Sequence, residues 1–311
     1  MRTGEVAVEG CDTTYLVTRP GETFFRLFNH QEFDVAEMSL STYMLARSKG
    51  DWPYRAIPVF LSRAFPHSSI YVRAGAGIAQ PAELRGRVVG APSYHLTRGL
   101  CVRGMLQDEY GVRPDDMAWR IGGVDAPEDF DYVGVDLSGL DIKPIAKGAY
   151  LAGLLLDGEI DAIVSYRDPQ ILYDGNPGIS RLFGDFREAE RRYYEKTGIF
   201  PVMHVVGIRE TLVEKYPWLA RSVFKAFDAA KLRCTERLND LDAPIVTLPW
   251  VAAETQATMA LMGADFWPYG VEPNRTTLEA QTRWSHEQGL SPTRFAVEEL
   301  FVPSTLSWYR D

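Results

Sequence analysis

Arg87-Val88-Val89-Gly90-Ala91-Pro92-Ser93-Tyr94-His95-Leu96-Thr97-Arg98-Gly99-Leu100 reads as a short buried strand ending at Gly90, a polar turn and the opening of a helix. Val102, Met105, Leu106 and Tyr110 continue that helix along one apolar face, and Gly111 is placed to cap it. A helix start leaves backbone N–H groups without partners and favours negative charge, so such a unit is a seat for a carboxylate or phosphate. Ser93 or Thr97 can cap it, while Tyr94, His95 and Arg98 can reach a guest. An ordinary α/β unit whose helix is capped by its own serine fits these residues equally well.

Outward from this unit, strands and helices alternate. Before it, the pattern predicts a strand over 12–17, a short helix from Thr23, a strand over 33–39, a helix over 40–48, and strands at 57–60 and 69–73. After it come an irregular acidic stretch over 113–145 with a strand or two, a helix from Ala149 to Gly158, and a strand at 160–165. An exposed-looking helix over 188–196 precedes a strand at 203–208 and the clearest helix of the chain, which Pro217 starts. Helices near 252–263 and 277–288 flank the aromatic loop Phe266-Trp267-Pro268-Tyr269-Gly270. Such alternation predicts a mostly parallel sheet in each of two lobes. Short connections near 72–80 and 200–204 read as the crossings, making 81–200 an inserted domain between flanks 1–80 and 201–311. Ligands in open α/β sheets sit beyond strand carboxyl ends, and a cleft between two lobes collects several.

At 311 residues the chain has room for two domains, and 46% hydrophobic with 24% charged content is that of a globular protein. A net charge of −9 argues against nucleic acid or an anionic membrane as partner, yet leaves room for a small anion held by a few local cations. Cys11, Cys101 and Cys234 are odd in number and in no metal spacing, so free thiols in a reducing compartment are expected. No apolar run reaches membrane-spanning length and no signal peptide is visible, so the expected location is the cytoplasm. No His-x-His, Cys-x-x-Cys, P-loop, dinucleotide fingerprint or Gly-x-Ser-x-Gly is present, so neither metal nor cofactor is expected. Self-association into a homo-oligomer is left open.

Glu83-Leu84-Arg85-Gly86-Arg87-Val88-Val89-Gly90 and Leu156-Asp157-Gly158-Glu159-Ile160-Asp161-Ala162 resemble segments of the type 2 periplasmic-binding-protein fold. More specific are Phe33-Asp34-Val35-Ala36-Glu37-Met38-Ser39-Leu40-Ser41 and Ile57-Pro58-Val59-Phe60 with Ser62-Arg63 and His67-Ser68. With them go Tyr193-Tyr194, Thr197-Gly198-Ile199-Phe200-Pro201-Val202-Met203-His204, and Trp267-Pro268-Tyr269-Gly270-Val271-Glu272 with Asn274-Arg275. Together these resemble the 4,5-dihydroxyphthalate decarboxylase family over nearly the whole chain. The resemblance implies a two-lobed α/β protein of that fold, acting without a cofactor on a small anionic aromatic carboxylate held between the lobes. Ser93-Tyr94-His95-Leu96-Thr97 departs from the Glu-Tyr-Gln-Met-Thr-like form expected there, and a first strand usual in such proteins has only Arg2-Thr3 to represent its turn.

Removing CO₂ from a hydroxylated benzoate needs a proton donor over the ring, an acceptor for the phenolic proton, and cations for the spare carboxylate. Histidine suits the acid–base roles because its pKa lies near neutrality, and arginine suits the clamp because its fork matches a carboxylate. His67 and His204, in polar elbows at strand ends, are the candidate catalytic groups, and Arg63 and Arg167 the candidate clamps. Ser39, Tyr94, His95 and Thr97 could add hydrogen bonds, and Trp267 could stack on a ring. Taken singly, each histidine also reads as a structural residue, and the aromatic loop as packing. A solute-binding protein that captures an aromatic carboxylate for a transporter or sensor is the competing expectation, because one scaffold hosts both roles.

Overall fold

A computed structural model describes residues 1–128, 137, 139–240, 242 and 244–307. In chain order the elements are α1 (Pro20–His30), β1 (Val35–Ser39), α2 (Leu40–Ser48), β2 (Tyr54–Arg63), β3 (Ile70–Arg73), β4 (Val88–Ala91) and α3 (Thr97–Tyr110). Next come β5 (Ala118–Ile121), β6 (Ile142–Pro144), α4 (Leu151–Asp157), β7 (Ala162–Val164), α5 (Gln170–Tyr173), β8 (Ile179–Arg181) and α6 (Phe186–Thr197). The chain finishes with β9 (Val202–Arg209), α7 (Glu210–Lys215), α8 (Leu219–Arg237), α9 (Val251–Met262) and α10 (Arg275–Glu287). Most of the middle of the irregular acidic stretch lies outside the described residues.

The strands form two sheets, one ordered β1-β9-β2 and one ordered β6-β5-β4-β7-β3-β8. The larger is mostly parallel, as the alternation predicts, with β3 its one reversed strand; the smaller is not, since both of its pairings are antiparallel. β9 runs antiparallel to both β1 and β2, so those two are parallel to each other, as the α2 crossover between them requires. In the larger sheet β4, β5, β6 and β7 are parallel, while β3 runs against both β7 and β8. The dissenting strands, β3 and β9, are those that follow a passage from the other sheet. A strand entering from outside is free of the βαβ rule that aligns the rest.

β3 is bonded on both edges within the larger sheet. The first passage therefore lies at 64–69, upstream of β3, and not at 72–80. The second lies at 198–201, and the two touch, the Ala64 N–H donating to the Pro201 carbonyl at 3.2 Å. Residues 12–17 form no strand; Leu16 and Val17 lie exposed, since alternation without a bonded neighbour makes no sheet. The first strand of the smaller sheet is accordingly β1 among the described residues.

α3 joins the two halves. It leaves β4 of the larger sheet, yet Leu100, Cys101, Val102, Met105 and Leu106 are buried in one cluster with Met38 and Phe60 of the smaller sheet and Val89 and Trp119 of the larger. At Gly104 the helix lies so close to the Trp284 indole of α10 that a Cβ would meet it at 2.2 Å. Gly111 ends α3 in the left-handed region at φ 65°, its N–H donating to the Gln107 carbonyl, as its position predicts.

Candidate active site

The polar turn that opens α3 is spent on the fold. Leu96 occupies the cap position and no side chain caps the helix. The Thr97 hydroxyl instead accepts the Ser41 N–H at 3.1 Å and lies 3.0 Å from the Ser39 and Ser41 hydroxyls. Ser39, Ser41 and Thr97 are all buried, so this polar knot pins the start of α2 to the start of α3. Tyr94 is buried with its ring 3.7 Å beneath the Arg103 guanidinium and edge-on to Trp119. His95 is buried with Nδ1 2.9 Å from the Ser93 hydroxyl.

A hollow of about 520 Å³ opens instead where the two passages meet. Arg63 lines it from the end of β2, Phe65 and Ser68 from the first passage, Phe200 from the second and Arg98 from the start of α3. α6 contributes Arg187, Glu190 and Arg191; α9 and its sequel contribute Glu254, Met262, Phe266 and Trp267. Four guanidiniums thus stand against two carboxylates, with aromatic rings between them. A protein of net charge −9 has gathered local positive charge in one concave place.

Arg63 is built into this wall, only 7% exposed. Its Nη2 donates to the Phe200 carbonyl at 3.0 Å and to Asn274 Oδ1 at 2.5 Å, and its guanidinium lies 4.8 Å from the Phe200 ring centre. Burial lowers its pKa to about 10, which still leaves it charged at neutral pH. Arg98 donates from Nη1 to the Phe65 carbonyl at 2.6 Å. Arg187 pairs with Glu254 at 2.5 Å, tying α6 to α9 along the rim. Arg191 makes no ion pair among the described residues. The rings are ordered too: Phe65 stacks on Phe200 at 4.6 Å, and Phe200 meets Trp267 edge-on at 5.5 Å. Trp267 is fixed by its Nε1–H, which donates to the Phe60 carbonyl at 2.7 Å.

Of the residues singled out from the sequence, the structure brings Arg63, Arg98 and Trp267 into the hollow. His67 lies beside it but is 1% exposed, its ring edge-on to Phe183 and Tyr193. Burial lowers its pKa to about 4, so it is a neutral, weakly basic imidazole at pH 7. His204 lies outside the lining, its Nδ1 2.6 Å from Glu37 Oε1 and its ring edge-on to Phe24. Arg167 is exposed and folds back on Tyr166, donating to its hydroxyl at 2.7 Å. Glu190 and Arg191 were missed because a helix so rich in charge reads as solvated. Among the described residues no three His, Cys, Asp or Glu side chains converge as a metal would need.

Fold and hollow together define a two-lobed α/β protein with a cationic, ring-lined recess at the junction of its sheets. Among solved structures it is similar to the periplasmic aliphatic sulphonate binding protein SsuA of Escherichia coli, 15% identical with TM-score 0.47, covering 91% of this chain and 79% of that one. It is similar as well to the desulfurization enzyme DSZB, 17% identical with TM-score 0.48, covering 88% and 83%. No family model matches the sequence. Over 308 residues it is 39% identical to a 4,5-dihydroxyphthalate decarboxylase of Comamonas testosteroni, covering 99% of this chain and 93% of that protein. Over 192 residues it is 36% identical to a 4,5-dihydroxyphthalate decarboxylase of Pseudomonas putida, covering 61% and 74%. The chain belongs to the 4,5-dihydroxyphthalate decarboxylase family.

Proposed function

We propose that this protein removes one carboxyl group, as CO₂, from a hydroxylated aromatic dicarboxylate, with 4,5-dihydroxyphthalate as the first candidate, and that the reaction runs in the hollow between the sheets. The observation that carries the reading is the composition of that hollow: four guanidiniums and a set of fixed rings around a space of about 520 Å³. A benzene ring bearing two carboxylates needs both features at once. Family membership supports the same substrate class.

The chemistry asks little beyond placement. Each carboxylate of 4,5-dihydroxyphthalate is para to a hydroxyl, so the ring itself can take up electrons when the carbon bearing the departing carboxylate is protonated. The carboxylate that stays is held by arginine, whose fork fits it in two hydrogen bonds. Arg191, which has no carboxylate partner among the described residues, and Arg63, whose geometry the wall fixes, are the clamp we assign. Phe65, Phe200 and Trp267 hold the ring and keep water from it, which strengthens the ion pairs inside.

Incubating the protein with 4,5-dihydroxyphthalate and a panel of other hydroxylated phthalates and benzoates while following CO₂ tests this. Release from 4,5-dihydroxyphthalate with 3,4-dihydroxybenzoate as product is expected, and Arg191→Ala should raise KM at least about 10-fold, a charged hydrogen bond being worth roughly 1.5–3 kcal/mol. Tight binding across the panel with no CO₂ would instead indicate a protein that captures such anions.

A further inference from the structure

One carboxyl in the hollow is set apart by its surroundings. Glu190, on α6, accepts the Ser68 backbone N–H at 3.1 Å and a second hydrogen bond from the Ser68 side chain. It lines the hollow but is only partly exposed. Arg98 from α3 and Arg181 from β8 face it. Arg187 and Arg191 share its helix, the former engaged by Glu254 of α9, and Arg63 stands at the end of β2. Beside Ser68 the buried His67 contributes no charge at neutral pH. No other carboxyl in the hollow is both held and partly buried: Glu254 is well exposed and bound to Arg187.

We propose, resting on the decarboxylase reading above, that Glu190 is the acid that protonates the ring carbon from which CO₂ departs. The neutral carboxyl gives its proton to that carbon, forming the C–H bond. The para hydroxyl sends an electron pair into the ring, becomes a carbonyl, and loses its proton to water. The C–C bond to the carboxylate then breaks, CO₂ leaves, and the released pair restores the aromatic ring as the carbonyl returns to phenolate. The phenolate and the Glu190 carboxylate each regain a proton from solvent. Per turnover one proton is consumed, one C–C bond is exchanged for a C–H bond, and nothing is oxidised or reduced.

The microenvironment favours this role. Desolvation raises the Glu190 pKa, and although the Ser68 hydrogen bonds and the two facing arginines oppose it, the net direction is upward. A dianionic substrate alongside pushes it further the same way. The acid must be neutral to act, so the rate is highest below the raised pKa and falls as pH rises through it.

The test uses the full chain and 4,5-dihydroxyphthalate. Glu190→Gln keeps an oxygen for the Ser68 N–H but has no acidic proton: kcat should fall about 10²–10⁴-fold, with little change in KM or in the Kd of phthalate, which has no hydroxyl and should be inert. The residual rate should lose the alkaline limb of the wild-type pH profile, and Glu190→Asp should recover part of kcat together with that limb. A Gln variant within about tenfold of wild type, or a wild-type profile with no alkaline fall, would overturn the assignment while leaving decarboxylation intact. A wild type that releases no CO₂ is a different failure, of the substrate reading, and the assignment falls with it.

Discussion

At His67 burial changes what a side chain can do. Its ring is packed between Phe183 and Tyr193, and its Nδ1 has no hydrogen-bond partner among the described residues. The neutral form is favoured in the fold, with a pKa of about 4 against an ordinary 6.5. The unfolded chain therefore binds the extra proton first as pH falls. Stability is unaffected by this group above pH 6.5 and is lost between there and pH 4, by about 3 kcal/mol at roughly 1.4 kcal/mol per pH unit. Urea unfolding at pH 7 and pH 4.5 should show His67→Gln losing less on acidification than wild type by most of that amount. Equal losses would mean that the imidazole is solvated. A sequence shows that a histidine follows a strand, but not that Tyr193, 126 positions later, will close over it. Glu190 and Arg191 were hidden for the converse reason: their helix mixes so much charge that the side turned to the hollow has no periodic signature.

At the scale of elements the sequence was informative where structure is local. The extents of α2, β4, α3 with its Gly111 stop, α6 and α8 follow from apolar spacing, proline and glycine. The directions of β3 and β9 were not legible, because an apolar run reads the same in a parallel or an antiparallel neighbourhood, and these two are set by where the chain arrives from. The residues over 12–17 show the same limit: their alternation is real, and nothing is there to pair with. Packing between helices is equally non-local. Gly104 reads as a mild defect in a helix, whereas in the structure it admits the Trp284 indole. Gly104→Ala gains helix propensity but forces α3 and α10 apart, and thermal or urea unfolding should show a net loss of about 1–3 kcal/mol. A neutral or stabilising result would mean that the two helices are not in contact in solution.

For the molecule as a whole, the cluster that runs through both sheets predicts one unfolding transition, not two. An anion seated in the hollow touches both passages, α6 and α9, and so stabilises the whole. Phthalate at about 100 times its Kd adds roughly 2.7 kcal/mol, which for a chain of this length raises Tm by about 4 °C in calorimetry, with the single peak preserved. Two peaks, of which phthalate moves one, would show that the lobes melt separately.

The knot of Ser39, Ser41 and Thr97 has a mechanical consequence. It fastens the near end of α3 to one half of the molecule, while Gly104 seats the helix's middle against α10 of that same half. The paired passages at 64–69 and 198–201 and the Arg187–Glu254 pair between α6 and α9 are further tethers. Fastened at its start and its middle, α3 is the fixed axle of the molecule, and any opening of the recess that turns α6 and its arginines away from Phe266 and Trp267 has to break the Arg187–Glu254 pair.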